Sequence, residues 1–99
     1  MFAWRTTWIV KPRSMEKALE FFETQAEEGL PEAATFRVYT PRHSPNVLVF
    51  EETWETEEEH DQYWADLNAA PESAVMWDKW YGIVEKSTST ELWNLREWR

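Results

Sequence analysis

The segment from Val47 to Trp54 is rich in β-branched and aromatic residues and runs directly into a helix-start signal. Side chains alternate along a strand, so Leu48, Phe50 and Trp54 are predicted on one face and Val47, Val49 and Thr53 on the other. A strand that is largely apolar on both faces is expected in the middle of a sheet, covered on both sides. Thr56 and Glu59 then have the spacing of a capping box, which predicts that a helix begins immediately afterwards.

The first third of the chain predicts a strand followed by a helix. Phe2 to Lys11 alternates between a strongly aromatic and a mixed set of side chains, and Pro12 is expected to end this strand. Ser14 is the predicted N-cap of a helix with one buried stripe, formed by Met15, Ala18, Leu19, Phe22 and Ala26. Gly29 is expected to end the helix in a left-handed conformation.

The rest of the chain predicts two more strands and an interrupted helical region. A second strand is predicted over Thr35 to Thr40, with Phe36 and Val38 on one face, joined to the Val47–Trp54 strand through a proline-rich turn. Helical spacing begins at Glu57, and Pro71 is expected to divide it into two segments that meet at an angle. The second segment is predicted to continue to Val84, and the last strand to cover Glu91 to Trp98.

This order, β-α-β-β-α-β, is that of a ferredoxin-like α+β fold with a four-stranded antiparallel sheet and both helices on one face. We expect one domain over residues 1–99, with the first and third strands central. The second face of the sheet would then expose apolar residues drawn from Trp4, Trp8 or Ile9, from Val47, Val49 or Phe50, and from Trp93 and Leu95. So much apolar surface predicts a homodimer in which two sheets pack face to face.

Three stretches of the chain resemble the dimeric α+β barrel superfamily, and within it the NIPSNAP-like domains. They are Arg5–Pro12 with the following helix, Val47–Trp54 with Thr56, and Trp77–Tyr81 before Leu92–Leu95. The resemblance implies a homodimer with a barrel-like interior and a cleft between sheet and helices. It implies no single reaction, because the superfamily includes cofactor-free monooxygenases, haem-degrading enzymes, isomerases and domains of unknown role.

Composition narrows the classes of partner. A formal net charge of −9 argues against nucleic acid, and no uncharged apolar run reaches the length of a membrane span. The absence of cysteine and of an export signal favours the cytoplasm. No spacing of ligands predicts a metal site, and no cofactor is expected. The eight tryptophans exceed what so small an interior normally buries, so some are expected at an interface or in a cleft.

Five residues are the predicted ligand-binding set: Trp8, Trp54, His60, Trp64 and Trp77. His60 is also the candidate catalytic residue, as a general base on the inward stripe of the second helix. The alternative is a structural histidine that is hydrogen-bonded to Glu52 or Glu57. The acidic residues from 51 to 61 are interpreted as complementing the positive end of a helix.

Arg5, Arg37 and Arg96 occupy strand positions from which a guanidinium could hold an anion, on a face that the sequence does not determine.

Three functions follow from this set of residues. The first is binding of a small apolar or aromatic molecule in a tryptophan-rich cleft. The alternative is a cofactor-independent monooxygenase or isomerase that acts on an aromatic or polyketide-like substrate. The third is a structural domain whose tryptophans all belong to the core and the dimer interface.

Overall fold

The structure, a computed structural model, describes residues 1–98. Its elements in chain order are β1 (Phe2–Val10), α1 (Met15–Glu28), β2 (Ala34–Tyr39), β3 (Val47–Trp54), α2 (Glu57–Ala69), α3 (Ser73–Tyr81) and β4 (Val84–Asn94). The predicted order is confirmed, with the second helical region divided into α2 and α3.

The four strands form one antiparallel sheet in the order β2-β3-β1-β4, so β1 and β3 are central as predicted. All three helices lie on the same face. Phe22 of α1 packs on Phe50, with ring centroids 5.1 Å apart. Trp64 of α2 lies 5.7 Å from Trp4, and Trp80 of α3 lies 5.5 Å from Trp8 of β1.

The best-buried apolar cluster joins α1 and α3 to one end of the sheet. Its members are Val10, Ala18, Phe21, Leu48, Trp80, Ile83 and Val84. Phe21 is fully part of this core although the predicted stripe of α1 contained Phe22 instead, which is only partly buried. Gly29 ends α1 with φ of +109°, as the sequence predicted.

The start of α2 and the break after it agree with the sequence. Thr56 accepts the backbone N–H of Glu59 at 3.2 Å, and its hydroxyl donates to the carboxylate of Glu59 at 3.3 Å. The helix ends at Ala69 and α3 begins at Ser73, so Pro71 separates two helices. The proline both lacks an N–H and restricts the residue before it.

The predicted boundaries of α3 and β4 are wrong. The helix ends at Tyr81 rather than Val84, and the strand starts at Val84 rather than Glu91. Val84 pairs with Val10 and is 3% exposed. The polar segment that follows Val84 is a strand because it pairs with the central strand β1. The pairing has two register irregularities, at Thr7/Trp8 and Ile9/Val10. Such irregularities break the regular alternation of side chains between the two faces, which is the pattern by which a strand is recognised in a sequence.

The sequence left open which residues of β1 and β3 lie on the helix-free face of the sheet, and the register decides between them. Trp4, Trp8 and Phe50 point to the helices, whereas Ile9, Val47, Val49 and Trp93 lie on the other face. Tyr39 and Leu95 also lie on that face, near Arg5 and Glu51. At its centre Arg5 Nε donates to Glu51 at 3.1 Å, and Arg37 lies 3.6 Å from the same carboxylate. The strand arginines Arg5 and Arg37 therefore lie away from the helices, and Arg96 falls beyond β4.

Candidate functional site

A cavity of about 670 Å³ lies between the sheet and the three helices. Its wall is dominated by aromatic side chains, among them five tryptophans: Trp4, Trp8, Trp64, Trp77 and Trp80. The other aromatic residues of the lining are Phe21, Phe22, Phe36, Phe50 and Tyr63. The volume falls in the range of roughly 300–1,000 Å³ that is typical of small-molecule sites.

The periodicities of the elements bring these rings together. Alternation along β1 sends Trp4 and Trp8 to the same face as Phe50 of β3 and Phe36 of β2. The wall contributed by α2 consists of Tyr63, Trp64 and Leu67, which are one to four positions apart. The cavity is thus formed by every layer of the fold.

Two of these rings, Trp64 and Trp77, form a stacked row with Tyr81, which lies outside the cavity lining. Trp64 and Trp77 have centroids 5.8 Å apart at an interplanar angle of 28°, and Trp77 and Tyr81 are 5.8 Å apart at 23°. The indole N–H of Trp77 donates to Asn68 Oδ1 at 3.0 Å. This bond ties the end of α2 to α3, across the break at Pro71, and holds the row in place.

Glu52 is a buried carboxylate directly behind this wall. It has no exposed surface, and it accepts hydrogen bonds from the indole N–H of Trp54 at 3.0 Å and from that of Trp64 at 2.9 and 3.0 Å to its two oxygens. Burial raises the pKa of Glu52, while the two indole donors and the nearby His60 oppose that rise. The carboxyl fixes the orientation of Trp64, whose ring borders the cavity while its N–H points to β3.

Tyr63 is partly buried and close enough to Glu52 to be affected by its charge. Its pKa is raised by burial first and then by the charge of Glu52. Its phenol lines the cavity as a neutral hydroxyl and adds one of the few polar groups to a largely apolar wall.

His60 lies in the layer behind the cavity wall. It is 8% exposed, and its ring centroid is 5.2 Å from that of Phe2 and 5.6 Å from that of Trp4. Nδ1 is 3.1 Å from the carboxylate of Asp61, rather than bonded to Glu52 or Glu57, and the buried Nε2 has no hydrogen-bond partner among the described residues. In this position His60 contacts the rings that line the cavity but not the cavity itself.

The structure separates the predicted ligand-binding residues into two groups. Trp8, Trp64 and Trp77 line the cavity. Trp54 and His60 do not. Trp54 is 2% exposed, its ring centroid is 5.3 Å from that of Tyr63, and its indole N–H donates to Glu52. Glu52 was missed as a site residue because it was grouped with the acidic start of a helix. Its position in the strand, in phase with Leu48, Phe50 and Trp54, was a sufficient signal that it points inward.

Residues 1–98 contain neither a candidate metal site nor a candidate membrane span. No group of three or more His, Cys, Asp or Glu side chains is placed to hold a metal ion. None of the helices combines the length and the apolar character that a membrane span requires.

Comparison with solved structures identifies the fold. An uncharacterized NIPSNAP-like domain protein from Burkholderia xenovorans superposes with a TM-score of 0.80 at 15% identity, over 99% of this chain and 87% of that one. A protein from Chloroflexus aurantiacus J-10-fl, named for antibiotic biosynthesis monooxygenase, gives 0.76 at 9% identity, over 99% and 95%. An antibiotic biosynthesis monooxygenase gives 0.64 at 16% identity, over 98% and 100%.

The predicted ferredoxin-like α+β fold is therefore confirmed, and the solved structures that share it include a NIPSNAP-like domain protein, the group that the sequence was found to resemble. No protein-family model and no curated protein matches the chain in sequence.

Proposed function

We propose that this chain forms a homodimeric domain that binds a small, flat aromatic molecule in the cavity between sheet and helices. The observation that carries the proposal is the cavity itself, about 670 Å³ in volume and walled by rings from β1, β2, β3 and all three helices. Trp8, Trp64 and Trp77 are the proposed ligand contacts. Trp54 and Glu52 support them from behind.

The chemistry of the wall favours recognition by shape and apolar contact. Burial of apolar surface contributes about 25 cal/mol per Å², and correctly oriented aromatic pairs add about 0.5–1.5 kcal/mol. Trp64 and Trp77 are held by hydrogen bonds to Glu52 and Asn68, so these two side chains have little entropy to lose on binding.

The first prediction tests this proposal with Trp77→Ala. Isothermal titration with a neutral bicyclic aromatic such as naphthol should show saturable binding to the wild type, and the variant should bind about ten times more weakly because a stacking surface is lost. Trp77 is preferable to Trp64 for this test, since its N–H partner Asn68 is exposed, whereas Trp64→Ala would leave the buried Glu52 with one donor.

Trp98→Ala is the matched control, because Trp98 is 84% exposed and lies outside the cavity lining. Its affinity should equal that of the wild type. Absence of binding to the wild type, or an equal loss in both variants, would contradict the proposal and favour a purely structural role for the rings.

A cofactor-independent monooxygenase is the second candidate, and the named activity of a solved structure with this fold is what favours it. In such a reaction an acidic CH₂ group of an aromatic substrate would lose two hydrogens, one oxygen atom of O₂ would form the new carbonyl, and the other would leave as water. Among the described residues Glu52 is the buried carboxyl adjacent to the wall, and Trp64 lies between it and the cavity. Oxygen consumption in equal amount to product would distinguish this reaction from binding alone.

The proposed dimer uses the helix-free face of the sheet. Ile9, Val47 and Val49 are only half-buried there, and the ring of Trp93 is 51% exposed. Around a two-fold axis each copy would cover the same residues of the other. The Arg5–Glu51 pair at the centre would then be enclosed, with its hydrogen bonds already made within one chain.

A further inference from the structure

The charged residues that line the cavity are predominantly acidic. Glu23 and Glu28, both exposed on the last two turns of α1, stand at its open edge. Arg37 is the single cationic residue of the lining within residues 1–98, and its guanidinium reaches the other face of the sheet, 3.6 Å from Glu51. An anionic ligand would therefore meet two carboxylates and no available cation among the lining residues.

The tryptophans of the wall also suit a cation better than an anion. Trp64 donates its indole N–H to Glu52, and Trp77 donates its N–H to Asn68, so neither donor is available to a ligand. What these residues offer is the ring, whose face carries partial negative charge and attracts cations. Donation from Trp64 to a carboxyl increases this polarisation, because a hydrogen-bonded donor shifts electron density toward its own ring.

We propose that the ligand of this cavity is a positively charged, planar aromatic molecule, such as an N-alkylated heteroaromatic ring, held by cation–π contact with Trp64 and Trp77 and by the field of Glu23 and Glu28. The inference rests on the proposed binding function and specifies its ligand class. The apolar wall provides the shape recognition for the ring, and the acidic edge selects its charge.

The test uses three bicyclic probes of nearly equal shape: N-methylquinolinium, neutral methylquinoline and anionic quinoline carboxylate. Their affinities are measured by isothermal titration at about pH 8, where the second is uncharged and the third ionised. The cation should bind about ten times more tightly than the neutral probe, and the anion most weakly. The advantage of the cation should shrink in added salt, because Glu23 and Glu28 are exposed.

Matched variants separate local charge from the overall charge of −9. Glu23→Gln and Glu28→Gln should each weaken binding of the cation about two- to fivefold and leave the neutral probe unchanged. Glu20→Gln removes the same charge from an exposed position of α1 outside the cavity lining, and it should bind the cation as the wild type does.

The outcomes distinguish the ligand class from the binding function. Equal or tighter binding of the neutral probe would overturn the preference for a cation and leave the proposed aromatic site intact. Tighter binding of the anion would overturn it in favour of a negatively charged ligand. If Glu20→Gln has the same effect as Glu23→Gln and Glu28→Gln, the field of the whole chain, rather than this edge, attracts the cation and the inference fails. If no probe binds, both proposals fail.

Discussion

Glu52 occupies the most costly environment of any carboxylate described in this fold. A charged group without solvent destabilises the native state unless hydrogen bonds replace its hydration. Two indole N–H groups do so here, from Trp54 and Trp64, and His60 adds an electrostatic attraction. The same bonds that stabilise the carboxyl also orient the ring of Trp64 against the cavity.

A pH-dependent stability follows from this burial, and Glu52→Gln tests it. The pKa of Glu52 is raised above its ordinary value of 4.5, so the folded state binds a proton more tightly than the unfolded state. The stability that Glu52 contributes is then fully present below pH 4.5 and is lost as pH rises through the raised pKa. Urea unfolding across this window should show the wild type losing stability relative to Glu52→Gln as pH increases.

Glu55→Gln provides the comparison, because it removes a carboxyl from an exposed position just after the same strand. Its difference from the wild type should stay nearly constant over the window. A wild type that instead gains stability over Glu52→Gln with rising pH would show that the indole bonds and His60 outweigh desolvation.

The inward position of Glu52 could be predicted from the sequence, but the contacts of His60 and Trp54 could not. Strand alternation could have placed Glu52 on the inward face, in phase with Leu48 and Phe50. Nothing in the sequence could show that Nδ1 of His60 would lie beside Asp61, or that Trp54 would donate to Glu52 two residues earlier. Those contacts depend on the side-chain positions that the packed fold imposes.

At the scale of elements, prediction succeeded where local signals are strong. The apolar alternation of β1 and β3, the Thr56 cap and the break at Pro71 each have a short-range cause, and all three are present. The start of β4 has none. After the buried Val84 its residues are polar and exposed as far as Glu91, and they become a strand only because the segment pairs with β1, more than seventy positions earlier. Such long-range pairing overrides local propensity.

Gly29 gives a prediction at the end of α1. Its φ of +109° is unfavourable for any residue with a Cβ, and a Cβ built there would meet no atom within 4 Å. Gly29→Ala should therefore lower the free energy of unfolding by about 1 kcal/mol through backbone strain alone. Urea denaturation would measure this loss.

Glu27→Ala, an exposed substitution in the last turn of the same helix, should change stability by less than about 0.5 kcal/mol. An unchanged Gly29→Ala protein would mean that the segment after α1 rearranges without cost. Because Gly29 also lines the cavity, ligand affinity in the same variant would report whether its edge moves.

At the scale of the whole molecule, the sheet has helices on one face only. The other face combines an apolar margin, Ile9, Val47, Val49 and Trp93, with a charged centre in which Glu51 accepts from Arg5 and Tyr39. A sequence can indicate that a sheet lacks a cover, but which residues a second copy would bury depends on the register. The observed register assigns Trp4, Trp8 and Phe50 to the cavity side, so of the alternatives that the sequence left open the proposed interface uses Ile9, Val47 and Val49.

The last prediction tests that interface with two separate valine-to-aspartate variants, one on the helix-free face and one on α3. Wild-type protein at micromolar concentration should scatter light as a particle of about twice the 11.9 kDa chain mass. Val49→Asp places a carboxylate among the apolar residues of the helix-free face, where burial without a partner costs several kcal/mol, so the variant should dissociate or aggregate.

Val75→Asp introduces the same side chain on α3 at a position that is 72% exposed, and it should remain dimeric. Far-ultraviolet circular dichroism of both variants distinguishes dissociation from unfolding. A wild type that scatters as 11.9 kDa while fully folded would show that the helix-free face needs no second copy. If Val49→Asp keeps the dimer mass and Val75→Asp loses it, the contact between copies uses the helices instead.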